Sequence, residues 1–152
     1  MHIHIHSQAL ADAIKAVSHG VSTSVSTPIL ENILIHVGNG KMVLTANNLE
    51  IAIEYEITDG VKIEEPGDIT VSYRFIASYV SLLDDEDVTI KTETGQTLVF
   101  STAKNTTRYK GISADEFPVI PSIRRDTSVS MDTTELRRAF SKTLFSLSLI
   151  HI

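Results

Sequence analysis

The chain has 152 residues, of which 42% are hydrophobic, enough to bury the core of one ordinary domain. It contains no cysteine, which excludes disulfides, thiolate metal sites and cysteine nucleophiles, and its apolar runs are too short to predict a membrane span. The net charge of −6 is uneven: residues 1–121 carry 8 Lys and Arg against 16 Asp and Glu, and such an acidic body repels bulk nucleic acid.

The first predicted element is a strand with a histidine at every second position. His2, His4 and His6 would share one face, with Ile3 and Ile5 on the other. Three imidazoles roughly 7 Å apart along a strand are able to bind a metal ion. A metal site normally draws ligands from more than one element and needs hydrogen-bond partners around them, and the sequence identifies neither. The pattern therefore favours a plain strand, and no metal or cofactor is expected.

A helix is predicted next, over SQALADAIKAVSHG. Ser7 is expected to be its N-cap and Gly20 to end it. The face away from the apolar stripe is mostly small residues, with one cation at Lys15. The predicted apolar stripe comprises Leu10, Ala13, Ile14 and Val17.

Five strands joined by tight turns are predicted to follow. ENILIHV and KMVLTA flank Gly38-Asn39-Gly40, which predicts a hairpin because Asn and Gly tolerate positive φ. Turns at Asp59-Gly60 and Pro66-Gly67 lead into VKIEE and DITVS. In LEIAIEYEI, one face of the predicted strand comprises Ile51, Ile53, Tyr55 and Ile57, and the other Glu50, Glu54 and Glu56.

The second predicted helix is RFIASYVSLL, and three more strands follow it. Arg74 is the cation of this helix and lies at its start. The strands are DVTIKTE, QTLVFST and TTRYKGI, and the first two flank a hairpin turn at Thr94-Gly95. The predicted apolar stripe of the helix comprises Phe75, Ile76, Tyr79, Val80 and Leu83.

Beyond Phe117 the pattern changes. FPVIPSIRRD has two prolines and no clear period, which is typical of a linker. The segment SVSMDTTELRRAFSKTLF then repeats the strand, polar cap and helix of the chain's start at an offset of 126 residues. This faint repeat predicts a first domain over 1–121, a linker over 122–126 and an incomplete second copy over 127–146.

A family resemblance draws these segments together. AIKAVSHGVSTSVSTPILENILIHVGNGKMVLTANNLEIAI closely resembles the N-terminal domain of the bacterial DNA polymerase III beta subunit, the sliding clamp. VSYRFIASYVSLL resembles the second helix of that domain, and ADEFP followed by ELRRAFSKTLFS resembles the linker and the first helix of the second domain. The final LSLIHI does not resemble the family's continuation, so residues 147–152 are expected to be a non-native tail.

The resemblance implies an α+β DNA clamp fold, with two helices packed on two small antiparallel sheets in each domain. Three such domains form a subunit, and two subunits close head to tail into a homodimer ring around double-stranded DNA. The implied function is processivity of the replicative polymerase in the cytoplasm, without catalytic residues of the clamp's own. DNA polymerase III and the clamp loader would bind through a C-terminal domain that this chain does not include.

The family's helices line the pore, which implies a set of DNA contacts that do not read sequence. Many members place an arginine in the loop before PIL where this chain has Ser24, so that contact is in doubt. Arg124 and Arg137 are weaker candidates in the linker and in the last helix. The predicted DNA-binding residues are Lys15, Ser24, Arg74, Arg125, Arg138 and Lys142.

The stretch 104–110 resembles the edge strand that pairs with the third domain of the other subunit. Lys104, Thr106 and Arg108 are expected to share one face, where acids of the partner would meet them. The alternative is an ordinary charged edge strand. The predicted interface residues are Lys104, Thr106, Thr107, Arg108 and Tyr109.

The sequence also leaves a second function open. Glu54 and Glu56 are neighbours on one strand face, at a spacing compatible with the carboxylate pair of a glycosidase. A stand-alone β-rich hydrolase or carbohydrate-binding domain would use that face. Such pairs usually flank a cleft from different strands, and a carbohydrate module wants exposed aromatics, whereas this chain has no Trp.

Overall fold

The computed structural model describes residues 1–22, 27–121 and 126–147, with side chains described up to Leu144. The chain divides into two compact units, Met1–Ile120 and Pro121–Ile152. The helices are α1 (Ser7–Val17), α2 (Tyr73–Ser81) and α3 (Thr133–Leu147). The strands are β1 (His2–His6), β2 (Asn32–Gly38), β3 (Lys41–Asn47), β4 (Ala52–Ile57), β5 (Val61–Glu65), β6 (Gly67–Ser72), β7 (Asp87–Glu93), β8 (Thr97–Ser101) and β9 (Thr106–Lys110).

The first unit is built from two antiparallel sheets with α1 and α2 packed on them. One sheet has five strands in the order β5-β1-β7-β8-β9, and the other has four in the order β4-β3-β2-β6. The two helices contact each other; α1 also contacts β1, β3 and β4, and α2 contacts β6. The expected α+β architecture, two helices on two small antiparallel sheets, is confirmed.

Alternation along β1 produces the predicted division of faces. Ile3 and Ile5 are 0% and 1% exposed and lie in the core, while the three histidines are half-buried on the other face. The predicted apolar stripe of α1 is fully buried as well. Since the strand period of two and the helix period of 3.6 both hold, hydrophobic spacing alone places these two elements.

The turn between β2 and β3 has the geometry that its sequence predicts. Asn39 and Gly40 both adopt positive φ, at 52° and 77°. This is the mirror-image turn whose twist matches paired strands, and Asn-Gly is its preferred sequence. The turn sets the pairing of Gly38 with Lys41, and the rest of the hairpin register follows from it.

The N-cap prediction for α1 is wrong. His6 occupies the cap position without a capping side-chain bond, and Ser7 is the first helical residue. Ser7 is 5% exposed; its hydroxyl donates to the carbonyl of Asp84 at 2.9 Å and accepts from the backbone N–H of Glu86 at 3.2 Å. Ser7 therefore joins the start of α1 to the loop that follows α2, a long-range role that local sequence does not reveal.

The predicted apolar face of β4 is only partly buried. Ile57 is buried and Ile53 half-buried, but Tyr55 is 38% exposed, and Ile51, at 54%, lies ahead of the strand. β4 is an edge strand of its sheet. An edge strand has a neighbour on one side only, so its side chains are covered less than the alternation suggests.

An aromatic cluster connects α2 to the five-stranded sheet. The ring of Phe75 stacks on Tyr109 of β9 with centroids 4.1 Å apart, and Phe100 of β8 lies 5.7 Å from Phe75 and 5.0 Å from Tyr79. Phe100 is fully buried. The cluster therefore sets the position of α2 against β8 and β9.

Replacing Tyr79 with Phe is expected to leave stability unchanged or to raise it by about 1 kcal/mol. The Tyr79 hydroxyl is buried and has no hydrogen-bond partner among the described residues. Its removal from water therefore costs free energy that no hydrogen bond offsets. Burial, and then the charge of Glu86, raise the pKa of this phenol. Urea unfolding of the two proteins measures the difference. A loss above about 1 kcal/mol would mean that the hydroxyl makes a stabilising hydrogen bond, directly or through water.

The second unit contains α3. Asp132 accepts hydrogen bonds from the backbone N–H groups of Thr134 and Glu135 at 2.8 and 3.3 Å, which caps the helix and lowers the pKa of the Asp132 carboxyl. The apolar side chains of its described part, Leu136, Phe140 and Leu144, are 41–58% exposed. Residues 148–152, most of the predicted non-native tail, lie outside the described residues.

Candidate nucleic-acid interface

Lys15 and Arg74, the two cations predicted to contact DNA from the first domain, both lie on exposed helix surface. Lys15 is on the last turn of α1, away from the buried stripe, and Arg74 is the second residue of α2. Helices that carry their cations away from the core present them to solvent, where a phosphate backbone could reach them. Both residues are exposed on helices, and their contact with DNA stays a prediction.

Lys15 and Arg74 also differ from the other cations of the first unit in their partners. Within its described residues, these two make no ion pair or hydrogen bond through their side chains, whereas Lys110 donates to the carbonyl of Gly95. The remaining cations each pair with a carboxylate. These pairs are Lys41–Glu56 at 2.5 Å, Lys62–Glu64 at 3.3 Å, Lys91–Glu93 at 3.6 Å, Lys104–Asp84 at 2.6 Å and Arg108–Glu93 at 3.7 Å.

The acidic residues are distributed in the opposite way. α2 carries no acid, and α1 carries only Asp12, which accepts a hydrogen bond from Gln8 at 3.0 Å. The other acids of the first unit lie on strands, turns, loops and the short 3-10 helices Pro28–Glu31 and Ala114–Glu116. A polyanion therefore meets the unpaired cations Lys15 and Arg74 on α1 and α2, while the strand cations other than Lys110 are paired with acids.

A small hollow lies beside Arg74. Its volume is about 130 Å³, and its lining includes Tyr73, Ser18, Ser22 and Glu31. The Ser18 hydroxyl donates to the carbonyl of Lys15 at 2.7 Å, so Ser18 contacts the backbone of Lys15 and also lines the hollow beside Arg74. Hydroxyl groups next to a guanidinium suit a phosphate, while Glu31 limits how strongly one would bind.

The remaining predicted DNA contacts are less well defined. Ser24, Arg124 and Arg125 lie outside the described residues. In the second unit, Arg137, Arg138 and Lys142 are all exposed on α3, and Arg138 lies 3.9 Å from Glu135. Their roles in DNA binding stay predictions.

The predicted subunit edge is an edge strand in the structure. β9 pairs with β8 and ends the five-stranded sheet. Along it Thr106 and Arg108 are exposed on one face, while Thr107 and Tyr109 are half-buried on the other. The open edge of β9 can accept another strand, as the interface prediction requires.

Lys104 corrects the predicted extent of that strand. It lies in the turn before β9, which begins at Thr106. Its ammonium donates to Asp84 at 2.6 Å. This hydrogen bond and the attraction between the charges lower the pKa of Asp84 and raise that of Lys104. Lys104 is therefore engaged within its own unit rather than aligned with Thr106 and Arg108.

The glutamates of the alternative function line a broad groove. It has a volume of about 730 Å³ and covers the outer face of the four-stranded sheet, where Glu54, Glu56 and Asp68 meet the segment 117–120. Both glutamates belong to β4, and Glu56 is paired with Lys41. A glycosidase pair faces its substrate from two sides, so this arrangement does not favour hydrolysis.

One group of three side chains in the described part of the chain has the spacing of metal ligands. His2, His4 and Glu64 bring their ligand atoms within 4.8 Å of one another on the face of β1 and β5. Sequence reasoning missed Glu64, because nothing local indicates that β5 pairs with β1.

Comparison with known proteins assigns the first unit of the chain to a family. Residues 1–121 match the family model described as DNA polymerase III beta subunit, N-terminal domain. A beta sliding clamp of Staphylococcus aureus is 30% identical over 146 residues, which are 91% of this chain and 37% of that protein. The chain thus spans less than two fifths of the length of this relative.

Solved structures give the same result at the level of the fold. The beta subunit of the DNA polymerase of Streptococcus pyogenes is 26% identical with a TM-score of 0.90, covering 95% of this chain and 39% of that one. The DNA polymerase sliding clamp of Bacillus subtilis is also 26% identical, with a TM-score of 0.89 and coverage of 95% and 40%. No described helix of this chain is long and apolar enough to cross a membrane.

Proposed function

The chain belongs to the DNA polymerase III beta subunit family, and we propose that it supplies the N-terminal domain of a sliding clamp that encircles duplex DNA. The clamp would hold the replicative polymerase on its template and so confer processivity in DNA replication. The observation that carries this proposal is the separation of charge, since the unpaired cations Lys15 and Arg74 lie on the helices, while every strand cation of the first unit except Lys110 is paired with an acid. A ring needs that arrangement, with the cations facing the pore and the acids outside.

The family match over residues 1–121 supports a proposed domain organisation. Residues 1–121 would form the first clamp domain, 122–126 the linker, and 127–146 the beginning of a second domain whose first helix would be α3. The clamp would have three such domains in each subunit and two subunits in a homodimeric ring. Its polymerase and clamp-loader partners would bind the third domain, and the ring would act in the cytoplasm.

The contacts with DNA would be few, electrostatic and independent of sequence. Each Lys or Arg that neutralises a phosphate releases a counterion, and a ring with many such contacts would grip the duplex instead of sliding. Two unpaired cations in the described part of this domain give a weak and mobile attraction. Retention on DNA would then come from ring closure, without any catalytic residue.

The edge strand β9 would close the ring. Its open backbone would pair with a strand of the partner subunit, while Thr106 and Arg108 meet the partner's side chains on one face and Tyr109 lies on the other. Tyr109 stacks on Phe75, the residue after Arg74. The same aromatic contact would therefore position both the subunit edge and the pore helix.

A chimeric ring tests the function. Residues 1–121 of this chain replace the aligned segment of the S. aureus beta sliding clamp, and the product is loaded onto nicked circular plasmid by the S. aureus loader. We expect the chimera to coelute with the circle in gel filtration and to be released when the plasmid is linearised. A folded, dimeric chimera that is never retained, or that stays bound after linearisation, would contradict the proposal.

Neutralised variants of the chimera test the DNA-facing surface. Lys15→Gln with Arg74→Gln is expected to lower the yield of rings loaded onto circular DNA severalfold and to weaken the salt dependence of loading, because up to two phosphate contacts in each subunit are lost. Lys41→Gln with Lys91→Gln removes the same charge from the sheets and serves as the matched control. Equal effects of the two pairs would show that net charge matters and that the helical surface does not.

A further inference from the structure

A cluster of three potential metal ligands lies on the exposed face where β1 pairs with β5. Nδ1 of His2 is 2.8 Å from one carboxylate oxygen of Glu64, and Nε2 of His4 is 3.0 Å from the other. The two imidazole rings are 5.2 Å apart between centroids. The side chains are 29–36% exposed, so an ion can reach the cluster from solvent.

The backbone explains why Glu64 points at both histidines. In the pairing of β1 with β5, Ile3 lies opposite Ile63 while His2 lies opposite Glu65, so the register shifts by one residue between them. Glu64 falls within this irregularity. Bulges of this kind redirect a side chain, and here the carboxylate is placed between two histidines that share one strand face.

The surroundings of the cluster supply what the sequence alone did not. The ligands come from two strands, and Nδ1 of His4 lies 2.9 Å from the hydroxyl of Thr89 on β7. With Nε2 bound to a metal, Nδ1–H would donate to that hydroxyl and orient the ring, which is the usual second partner of a ligating histidine. The ligands therefore come from two elements, and one of the histidines has the hydrogen-bond partner that a metal site needs.

We propose that His2, His4 and Glu64 form a binding site for a divalent transition-metal ion, with Zn²⁺ as its best match. Two imidazole nitrogens and one carboxylate are a common zinc ligand set, and solvent would complete the coordination. In a tetrahedral site with bonds of about 2.0 Å, ligand atoms stand roughly 3.3 Å apart. Each histidine nitrogen already lies close to that distance from one of the two Glu64 oxygens, and the three ligand atoms, all within 4.8 Å of one another, need only small side-chain rotations.

The charge state of Glu64 suits this role. Hydrogen bonds from His4 and then from Lys62 lower the pKa of its carboxyl, so Glu64 is ionised at neutral pH. Lys62 lies 3.3 Å from the carboxylate and would compete with a metal ion. Its side chain is 75% exposed and can turn into solvent when the ion binds.

Bound metal would cross-link β1 to β5, an outer strand of the five-stranded sheet. An ion that binds the folded state alone stabilises it by mass action, so Zn²⁺ is expected to raise the unfolding temperature of this unit. The site lies on the sheet, away from Lys15 and Arg74. It goes beyond the proposed function and does not depend on it.

Calorimetric titration of the metal-free 152-residue chain with Zn²⁺ at neutral pH tests the proposal. We expect one ion per chain with micromolar affinity, and X-ray absorption that shows two imidazole nitrogens and a carboxylate oxygen at zinc. His2→Gln, His4→Gln and Glu64→Gln should each weaken binding at least tenfold and abolish the rise in unfolding temperature. Circular dichroism of each variant verifies that it is folded.

His6→Gln and His36→Gln are the matched controls. His6 shares the strand face but lies 3.6 Å from Asp85 outside the cluster, and His36 pairs with Asp68 on the other sheet. Both variants should bind Zn²⁺ as the unaltered chain does. The proposal is overturned if Glu64→Gln leaves the affinity unchanged, if the controls lose as much as the cluster variants, or if zinc binds only adventitiously with no fixed stoichiometry.

Discussion

Replacing Phe100 with Ala is expected to lower the free energy of unfolding of the first unit by about 3–5 kcal/mol, the range typical of large-to-small changes in a well-packed core. Phe100 is fully buried and lies against the rings of Phe75 and Tyr79. The substitution removes the apolar area of one ring and leaves a cavity beneath α2. That cavity cannot close without moving the helix, because Phe75 is also held by Tyr109.

Urea unfolding followed by tyrosine fluorescence measures this effect in the first unit alone, since all 4 tyrosines lie within residues 1–120. Leu82→Ala is the control, because Leu82 is 83% exposed and its truncation should change stability by less than about 0.5 kcal/mol. If Phe100→Ala cost no more than Leu82→Ala, the aromatic cluster would not be what holds α2 on the sheet. The position of Arg74 would then need another explanation.

Hydrophobic spacing was sufficient to predict most of the elements. The burial of Ile3 and Ile5 follows from strand alternation, and the core stripe of α1 from helical spacing. The hairpin at Asn39-Gly40 follows from turn chemistry. These signals are local, and each element carries its own.

Long-range pairing was not predictable from such signals. Ser7 looked like an N-cap because its sequence neighbours suit one, yet its hydroxyl is bonded to the loop at Asp84 and Glu86. The alternation predicts Lys104 as part of a strand, yet the Thr102 hydroxyl accepts hydrogen bonds from the N–H groups of Lys104 and Asn105, which keep Lys104 in the turn before β9. The partners of the Ser7 hydroxyl lie 77 and 79 residues away along the chain, and only the folded chain identifies them.

The sequence predicts some features of the candidate site, and only the structure shows the others. That Lys15 and Arg74 lie on exposed helix faces follows from the sequence, whereas their lack of partners is a property of the structure. Sheet cations such as Lys41 and Lys91 look equally available in the sequence, and cross-strand or same-strand glutamates neutralise them in the fold. The metal cluster depends still more on tertiary pairing, because the register irregularity opposite His2 is what turns Glu64 toward the histidines.

Replacing Gly111 with Ala is expected to destabilise the first unit by about 3 kcal/mol, at the upper end of what overpacking usually costs. A Cβ at this position would lie 2.6 Å from the backbone oxygen of Thr70 and 3.0 Å from side-chain atoms of Ile69 and Leu98. Backbone and tightly packed side chains surround it, so no flexible group can move aside.

The contact matters because Gly111 follows the end of β9, where the chain crosses from one sheet to the other. Its N–H donates to the carbonyl of Gln96 at 2.9 Å, and the next residue, Ile112, exchanges backbone hydrogen bonds with Thr70 of β6 at 3.1 and 3.3 Å. The buried Thr70 hydroxyl donates to Ile112 and accepts from Asn32, each at 3.0 Å. A backbone shift at Gly111 would break this fully bonded junction, so strain rather than relaxation is expected.

Gly38→Ala is the matched control for this substitution. A Cβ at Gly38 would have as its closest neighbour Nε2 of the exposed His36 at 3.4 Å, an ordinary contact with a flexible side chain, and its cost should stay below about 1 kcal/mol. Urea unfolding of both variants provides the comparison. A large loss at Gly111 alone would mean that the junction holds β9 in place, and with it the edge proposed to close the ring. If Gly111→Ala lowered the free energy of unfolding no more than Gly38→Ala does, the junction would not hold β9. Its pairing with β8 alone would then position the edge.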